Sequence, residues 1–196
     1  MSIQFPSPPP EVTEAISSRI RDVAMTPRGA ARGLGGAAPT ELTLSMPHDV
    51  YVLGADDVIA GRVPDSTKLT GWRFIMYGQD GAVASAETQV ASDGRHRFAA
   101  FNSGPFVSET VDNVDRMNAE PAMRGQQPTL SLLRIPAVHL TALWLHDADG
   151  DTFTPLAPAP EGLEPSRPYT SAELFDVLRP QAQARVGVGV DDITGG

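Results

Sequence analysis

Hydrophobic residues recur at helical spacing in three segments of the chain. In EVTEAISSRIRDVAM they form one stripe of a helix: Val12, Ile16, Ile20 and Val23. In PFVSETVDNVDRMN a second stripe follows Pro105, a residue that suits the first turn of a helix. In SAELFDVL, Leu174 and Leu178 form a third, which Thr170 and Glu173 precede at the spacing of a capping box. We therefore expect an N-terminal, a middle and a C-terminal helix.

Alternating hydrophobic and polar residues predict strands in much of the remaining chain. The clearest hairpin joins GWRFIMY to AVASAETQV through GQDG, a typical turn sequence. Its second strand places alanines on one face, and we expect the middle helix to cover them: Ala82, Ala84 and Ala86. AVHLTALWL is apolar on both faces and is expected to be a central strand. These elements predict an α+β fold with a mainly antiparallel sheet of about five to seven strands.

The distribution of glycine and proline divides the chain into a core and two ends. Residues 1–40 are predicted to form the N-terminal helix and a flexible connector rich in glycine and alanine. Residues 41–184 are predicted to form a single α+β domain. We expect Pro180 to end its last helix, because proline lacks the N–H group that a helix interior needs. Residues 185–196 contain VGVGV and are expected to form a mobile tail.

The composition excludes several classes of function. The 196 residues include no cysteine, which excludes disulfides, thiolate nucleophiles, zinc ribbons and iron–sulfur ligation. No segment has the pattern of a signal peptide or the length of apolar sequence that crosses a membrane, so we expect a cytoplasmic protein. No cofactor is expected, because GLGG lacks the further residues that phosphate and dinucleotide loops require.

The charge balance bears on the choice of partner. The net charge is −9, from 24 acidic and 15 basic residues. Phosphate backbones and anionic membranes attract basic surfaces, so we expect neither a nucleic acid nor a membrane as partner. Lys68 is the only lysine among the basic residues, a codon bias that indicates a GC-rich, bacterial genome.

The segment HDADGD is the richest in potential metal ligands. Asp147, Asp149 and Asp151 stand at positions 1, 3 and 5 of a calcium loop, but Pro158 occupies position 12, where such a loop needs a bidentate Glu. A predicted strand lies on each side of the segment, so the simplest interpretation is the turn of a hairpin. We expect no metal site here, and the three aspartates are the ligands that such a site would use.

The chain contains no pattern of residues typical of a catalytic site. Ser103 lies between a predicted strand and a helix, as a hydrolase nucleophile does, but the elbow around such a serine needs glycines where this chain has Phe101 and Pro105. We expect Ser103 or Asn102 to cap the helix instead. The same helix start, Ser103 with Gly104, is a candidate anion site through its backbone N–H groups.

Two hypotheses about function follow. The first is a non-catalytic, acidic α+β protein that acts through contacts with a protein partner or with itself, because the N-terminal helix and the VGVGV tail are segments able to dock elsewhere. The alternative is a small-molecule-binding or hydrolytic domain whose site is assembled from residues distant in sequence. Its candidate side chains are Ser103, His139, Arg134 and Asp147. An apolar pocket lined by several of them would favour this alternative.

Overall fold

The computed structural model describes residues 3–24, 41–62, 67–120, 127–148 and 150–191. The helices in those ranges are α1 (Pro10–Ala24), α2 (Ala55–Ala60), α3 (Pro105–Ala119) and α4 (Ser171–Asp191). The strands are β1 (Thr43–Val52), β2 (Lys68–Gly78), β3 (Gly81–Val90), β4 (His96–Asn102), β5 (Thr129–Ile135), β6 (Leu140–Asp147), β7 (Gly150–Pro155) and β8 (Tyr169–Thr170). A 3-10 turn, Pro136–Val138, lies between β5 and β6.

The eight strands belong to one sheet, in the order β4-β3-β2-β1-β5-β6-β7-β8. The sheet is mostly antiparallel, as in the pairs β2–β3, β3–β4, β6–β7 and β7–β8. The predicted α+β class, the antiparallel sheet and the three helices are therefore confirmed, although eight strands slightly exceed the expected number. Among the described helices, none is long and apolar enough to span a bilayer.

The chain divides into two compact units, each with its own hydrophobic core. Unit 1 consists of Met1–Val50 and Thr70–Leu130, and unit 2 consists of Tyr51–Leu69 and Ser131–Gly196. The division falls inside the segment 41–184, which the sequence presents as one domain.

In unit 1, α1 packs on the alanine-bearing face of β2 and β3. Val12 and Ile16 of α1 are fully buried in one cluster with these strand residues: Trp72, Phe74, Met76, Ala84 and Ala86. The prediction that the middle helix covers the alanines is wrong, because α1 occupies that face. Successive strand residues alternate between faces, so Arg73, which bonds to Thr110 of α3, places α3 on the opposite face. Small alanine side chains allow a helix to pack closely on the sheet, but they do not determine which helix packs there.

The face of β2 and β3 under α3 contains buried charged side chains beside apolar ones such as Ile75. Arg73 and Glu87 are cross-strand partners whose Nε and Oε1 atoms lie 3.6 Å apart, with only 3% and 12% of their side chains exposed. Arg73 also donates from Nη1 to Thr110 Oγ1 at 3.2 Å and from Nη2 to the Phe106 carbonyl oxygen at 3.3 Å. Buried charges are stable only when they are paired. This network therefore ties α3 to the sheet.

The core of unit 2 is apolar and includes an aromatic cluster. The ring of Trp144 lies 5.4 Å from that of Tyr51 and 5.8 Å from that of Phe153, measured between centroids. Helix α4 contributes four buried residues to this core: Leu174, Phe175, Leu178 and Ala182. The buried positions recur every three or four residues, so one face of α4 packs on the core of unit 2.

Helix α4 continues through Pro180 to Asp191, so the prediction that this proline ends the helix is wrong. A proline inside a helix leaves the carbonyl four residues earlier, here that of Asp176, without its N–H donor. Both Asp176 and Pro180 are exposed, so water can bond to that carbonyl. Beyond the proline, Ala182 is fully buried and continues the packed face.

The capping box predicted before α4 is confirmed. The Glu173 carboxylate accepts hydrogen bonds from the backbone N–H and the hydroxyl of Thr170, both at 2.8 Å. The backbone N–H of Glu173 in turn donates to Thr170 Oγ1 at 3.3 Å. These bonds to Thr170 lower the pKa of the Glu173 carboxyl, because they favour its charged form.

Candidate functional site

The start of α3 holds Ser103 and Gly104, the predicted anion-site residues. Both are exposed. The capping residue is Gly104, with φ at 113°, and no side chain caps the helix, so the expectation that Ser103 or Asn102 does so is wrong. Gly104 adopts a backbone conformation that side-chain-bearing residues avoid, which suits a glycine at this helix entry.

The segment HDADGD forms the predicted hairpin, with Asp147 opposite Gly150 in the β6–β7 pair. Asp151 accepts a hydrogen bond of 2.6 Å from Trp144 Nε1. Asp149 lies outside the described residues. Across the part of the chain that the structure describes, no group of three or more His, Asp or Glu residues is arranged to hold a metal ion.

A serine–histidine pair that the sequence did not reveal lies beside this hairpin. Ser131 Oγ is 3.1 Å from His146 Nε2, and the His146 ring lies 5.0 Å from that of Trp144. Ser131 is fully buried, so its hydroxyl is closed to a substrate from solvent. Asp151 stands opposite His146 in the strand pairing, but its carboxylate accepts a hydrogen bond from Trp144. The hydrogen bond between Ser131 and His146 therefore holds these two side chains in place beside the hairpin.

Two arginines of unit 1 converge on an acidic partner rather than on open space. Asp93 Oδ2 accepts from Arg95 Nη2 at 2.9 Å and from Arg97 Nη2 at 3.0 Å. The hydrogen bonds from Arg95, the largest effect, lower the pKa of Asp93, and Arg97 lowers it further. The two guanidinium groups are thus engaged in the turn between β3 and β4.

Unit 2 contains an open cleft with a volume of about 340 Å³. Four residues supply its apolar wall: Val138, Pro158, Ala159 and Pro160. Four others supply polar groups: His139, Glu161, Gln181 and Arg185. Of the side chains proposed for a site assembled from distant residues, His139 is therefore in the cleft lining, whereas Ser103, Arg134 and Asp147 are not.

The position of His139 depends on the turn between β5 and β6. Pro136 begins the 3-10 turn, and His139 follows it with φ at 54°, in the left-handed region. The sequence suggested that His139 lies within the strand, which is wrong, since β6 begins at Leu140. The left-handed residue reverses the chain and leaves the His139 side chain exposed at the cleft.

The other side of the cleft is built by α4 and the proline-rich loop after β7. Gln181 Nε2 donates to the Glu161 carbonyl oxygen at 2.9 Å and to the Val177 carbonyl oxygen at 3.2 Å, which ties the loop to the helix. Gln181 and Arg185 are four residues apart and so lie on one face of α4. Sequence reasoning missed both residues because it ended the helix at Pro180.

Three polar side chains at the cleft are not engaged within the structure. Within the described ranges, the side chains of His139, Glu161 and Arg185 form no hydrogen bond or ion pair with another residue, and all three are exposed. Gln181 Oε1 is likewise left as an acceptor, because its bonds use the Nε2 atom. The cleft therefore combines an apolar wall with polar groups that are available to a ligand.

Comparison with known protein families, with curated proteins and with solved structures found no match for this chain.

Proposed function

We propose that this protein is a non-catalytic binding protein whose cleft in unit 2 takes a small organic molecule. The observation that carries the proposal is the cleft itself, with its apolar wall and its unengaged polar side chains. Its volume of about 340 Å³ falls at the lower end of the range for ligand sites, about 300–1,000 Å³.

The chemistry of the lining supports binding over covalent catalysis. Among the lining residues that the structure describes, none carries a hydroxyl group that could serve as a nucleophile. Ser103, the serine considered for that role, belongs to unit 1. The described lining thus offers contacts to a ligand and no hydroxyl nucleophile.

Contact with a protein partner or with a second copy of the chain stays a prediction. Helix α1 was its main support, and in unit 1 Val12 and Ile16 of this helix are buried in the core. The edge strand β4 also has a bulge at Ala99, which has no partner in the β3–β4 register. Bulges at sheet edges oppose the addition of a further strand. These features favour the cleft as the basis of the proposal.

The test is a saturation-transfer NMR screen of the full-length protein with fragments of about 8–15 non-hydrogen atoms. Ala159→Trp is expected to fill the cleft, and Ala99→Trp, on the exposed side of β4, is the matched control. We expect a set of fragments that bind the wild type and the control but not Ala159→Trp. Binding that is unchanged by Ala159→Trp would overturn the proposal.

A further inference from the structure

The cleft carries one anionic and one cationic side chain on separate elements. Glu161 lies in the loop after β7, and Arg185 lies on α4. Within the part of the chain that the structure describes, no ion pair joins them and neither is paired with another residue. Two opposite charges that face one cleft without meeting are complementary to a ligand that carries both signs.

The hydrogen-bond acceptors of the cleft, on Glu161 and Gln181, and its donor, Arg185, lie at different positions in the lining. Gln181 Nε2 is bonded to the backbone carbonyl of Glu161, so the two residues are neighbours in the cleft lining. Both Gln181 Oε1 and the Glu161 carboxylate can accept hydrogen bonds from an ammonium group. Arg185 is one helical turn further along α4, about 6 Å along the axis. Its guanidinium fork matches a carboxylate. A ligand that contacts both Gln181 and Arg185 would therefore carry its charged groups close together.

We infer that the cleft binds a free α-amino acid with an aliphatic side chain. Arg185 holds the carboxylate, Glu161 and Gln181 hold the ammonium group, and the side chain lies against Ala159 and the neighbouring prolines. This inference rests on the proposed function of the cleft and adds the class of ligand.

The charge of the whole protein favours a zwitterion over a simple anion. With a net charge of −9, the protein repels anions over distances longer than the reach of a single arginine. A simple cation would meet Glu161 favourably but would lie beside Arg185. A zwitterion has no net charge and so avoids both repulsions. It still offers an opposite charge to Glu161 and to Arg185.

The test uses three probes with the same branched carbon skeleton. Leucine has both charges, 4-methylpentanoate lacks the ammonium group, and 3-methylbutylamine lacks the carboxylate. The affinity of each for full-length protein is measured by titration with detection of backbone amide signals by NMR. We expect leucine to bind about three- to fivefold more tightly than either analogue, the effect of one exposed charge pair.

Two variants test which side chain of the cleft causes each preference for leucine. Glu161→Gln should abolish the preference for leucine over 4-methylpentanoate, and Arg185→Gln should abolish the preference over 3-methylbutylamine. Glu164→Gln and Arg179→Gln are matched controls, since they change the same charges in the same loop and helix outside the cleft lining. We expect both controls to keep the wild-type preferences.

Equal affinities for the three probes would overturn the amino-acid inference. The same loss of preference in the control variants as in the cleft variants would also overturn it. If fragments from the screen bind in the cleft but leucine does not, the binding function stands and this inference fails. If Ala159→Trp affects neither fragments nor leucine, both proposals fail.

Discussion

Units 1 and 2 both contain polar side chains next to helices, but they use them in opposite ways. In unit 1, Arg73 and Glu87 lie under α3 with almost no exposure, and Arg73 is bonded to the helix. In unit 2, Glu161 and Arg185 stand exposed at a cleft, and their side chains are engaged with no other described residue. Polar groups that contact each other in a core serve the fold, whereas polar groups left open at an apolar cleft are available for binding.

The difference has a physical origin in solvation. A buried charge has lost its water and depends on its protein partners. Removal of one charge of a buried pair therefore leaves the other charge poorly compensated, at a high cost in folding free energy. An exposed charge keeps its water and contributes little to the stability of the fold. The comparison therefore predicts large effects on stability from variants under α3 and small ones from variants at the cleft.

The largest effect is expected for Arg73→Met. This change leaves the Glu87 carboxylate buried beside an apolar side chain and should lower the free energy of unfolding by about 3–5 kcal/mol. Urea unfolding followed by circular dichroism measures the change. The double variant Arg73→Met with Glu87→Leu should recover most of the loss, because it removes both charges. A single variant as stable as the wild type would break the comparison.

A smaller effect is expected where α1 meets the alanines of β3. Ala86→Leu adds volume under Val12 and Ile16, and overpacking of this kind should lower the free energy of unfolding by about 1–3 kcal/mol. Ala99→Leu on exposed β4 is the control and should be nearly neutral. Urea unfolding of both variants decides the matter, and a neutral Ala86→Leu would mean that α1 leaves this face open.

The cap of α4 provides a third, pH-dependent prediction. Thr170→Ala removes the N-cap side chain and should cost about 1 kcal/mol at pH 7. The folded pKa of Glu173 is lowered, so its contribution is present above the ordinary pKa and is lost as the pH falls through the folded pKa. The difference between wild type and variant should therefore shrink below pH 4.5. Urea unfolding at neutral and acidic pH tests this, and a difference that grows in acid would contradict it.

The smallest effect on stability is expected at the cleft. Glu161→Gln and Arg185→Gln should each change the free energy of unfolding by less than about 0.5 kcal/mol, because both side chains are exposed and unpaired within the described residues. Thermal melts of the two variants beside Arg73→Met make the contrast visible. A large loss at either position would mean that these charges serve the fold.

Local patterns predicted the elements well because each depends on residues near one another in sequence. Thr170 and Glu173, which form the capping box, are only three positions apart in the sequence. The β2–β3 hairpin likewise depends on the short turn between Gly78 and Gly81. The assignment of helices to faces failed for a different reason. The alanines of β3 accept any helix, and the choice of α1 over α3 depends on residues that are distant in the sequence.

The cleft was not predicted because it depends on two exceptions to local rules. Helix α4 passes Pro180, where Asp176 and Pro180 are exposed to water, and this continuation brings Gln181 and Arg185 to the cleft. His139 adopts a left-handed conformation that is uncommon for a residue other than glycine. The i, i+4 spacing of Gln181 and Arg185 was the available signal. It becomes useful only when the helix is known to extend that far.

The central claim is that the cleft of unit 2 offers its polar groups to a ligand, whereas the polar groups under α3 in unit 1 serve the fold. Mapping of amide shifts tests this claim most directly. The 15N-labelled full-length protein is titrated with the tightest-binding fragment of the screen. We predict that the perturbed amides cluster at His139, Ala159 to Glu161 and Gln181 to Arg185, and that those around Arg73 stay unchanged. Perturbations centred on Arg73 and α3, with the cleft unaffected, would contradict the account.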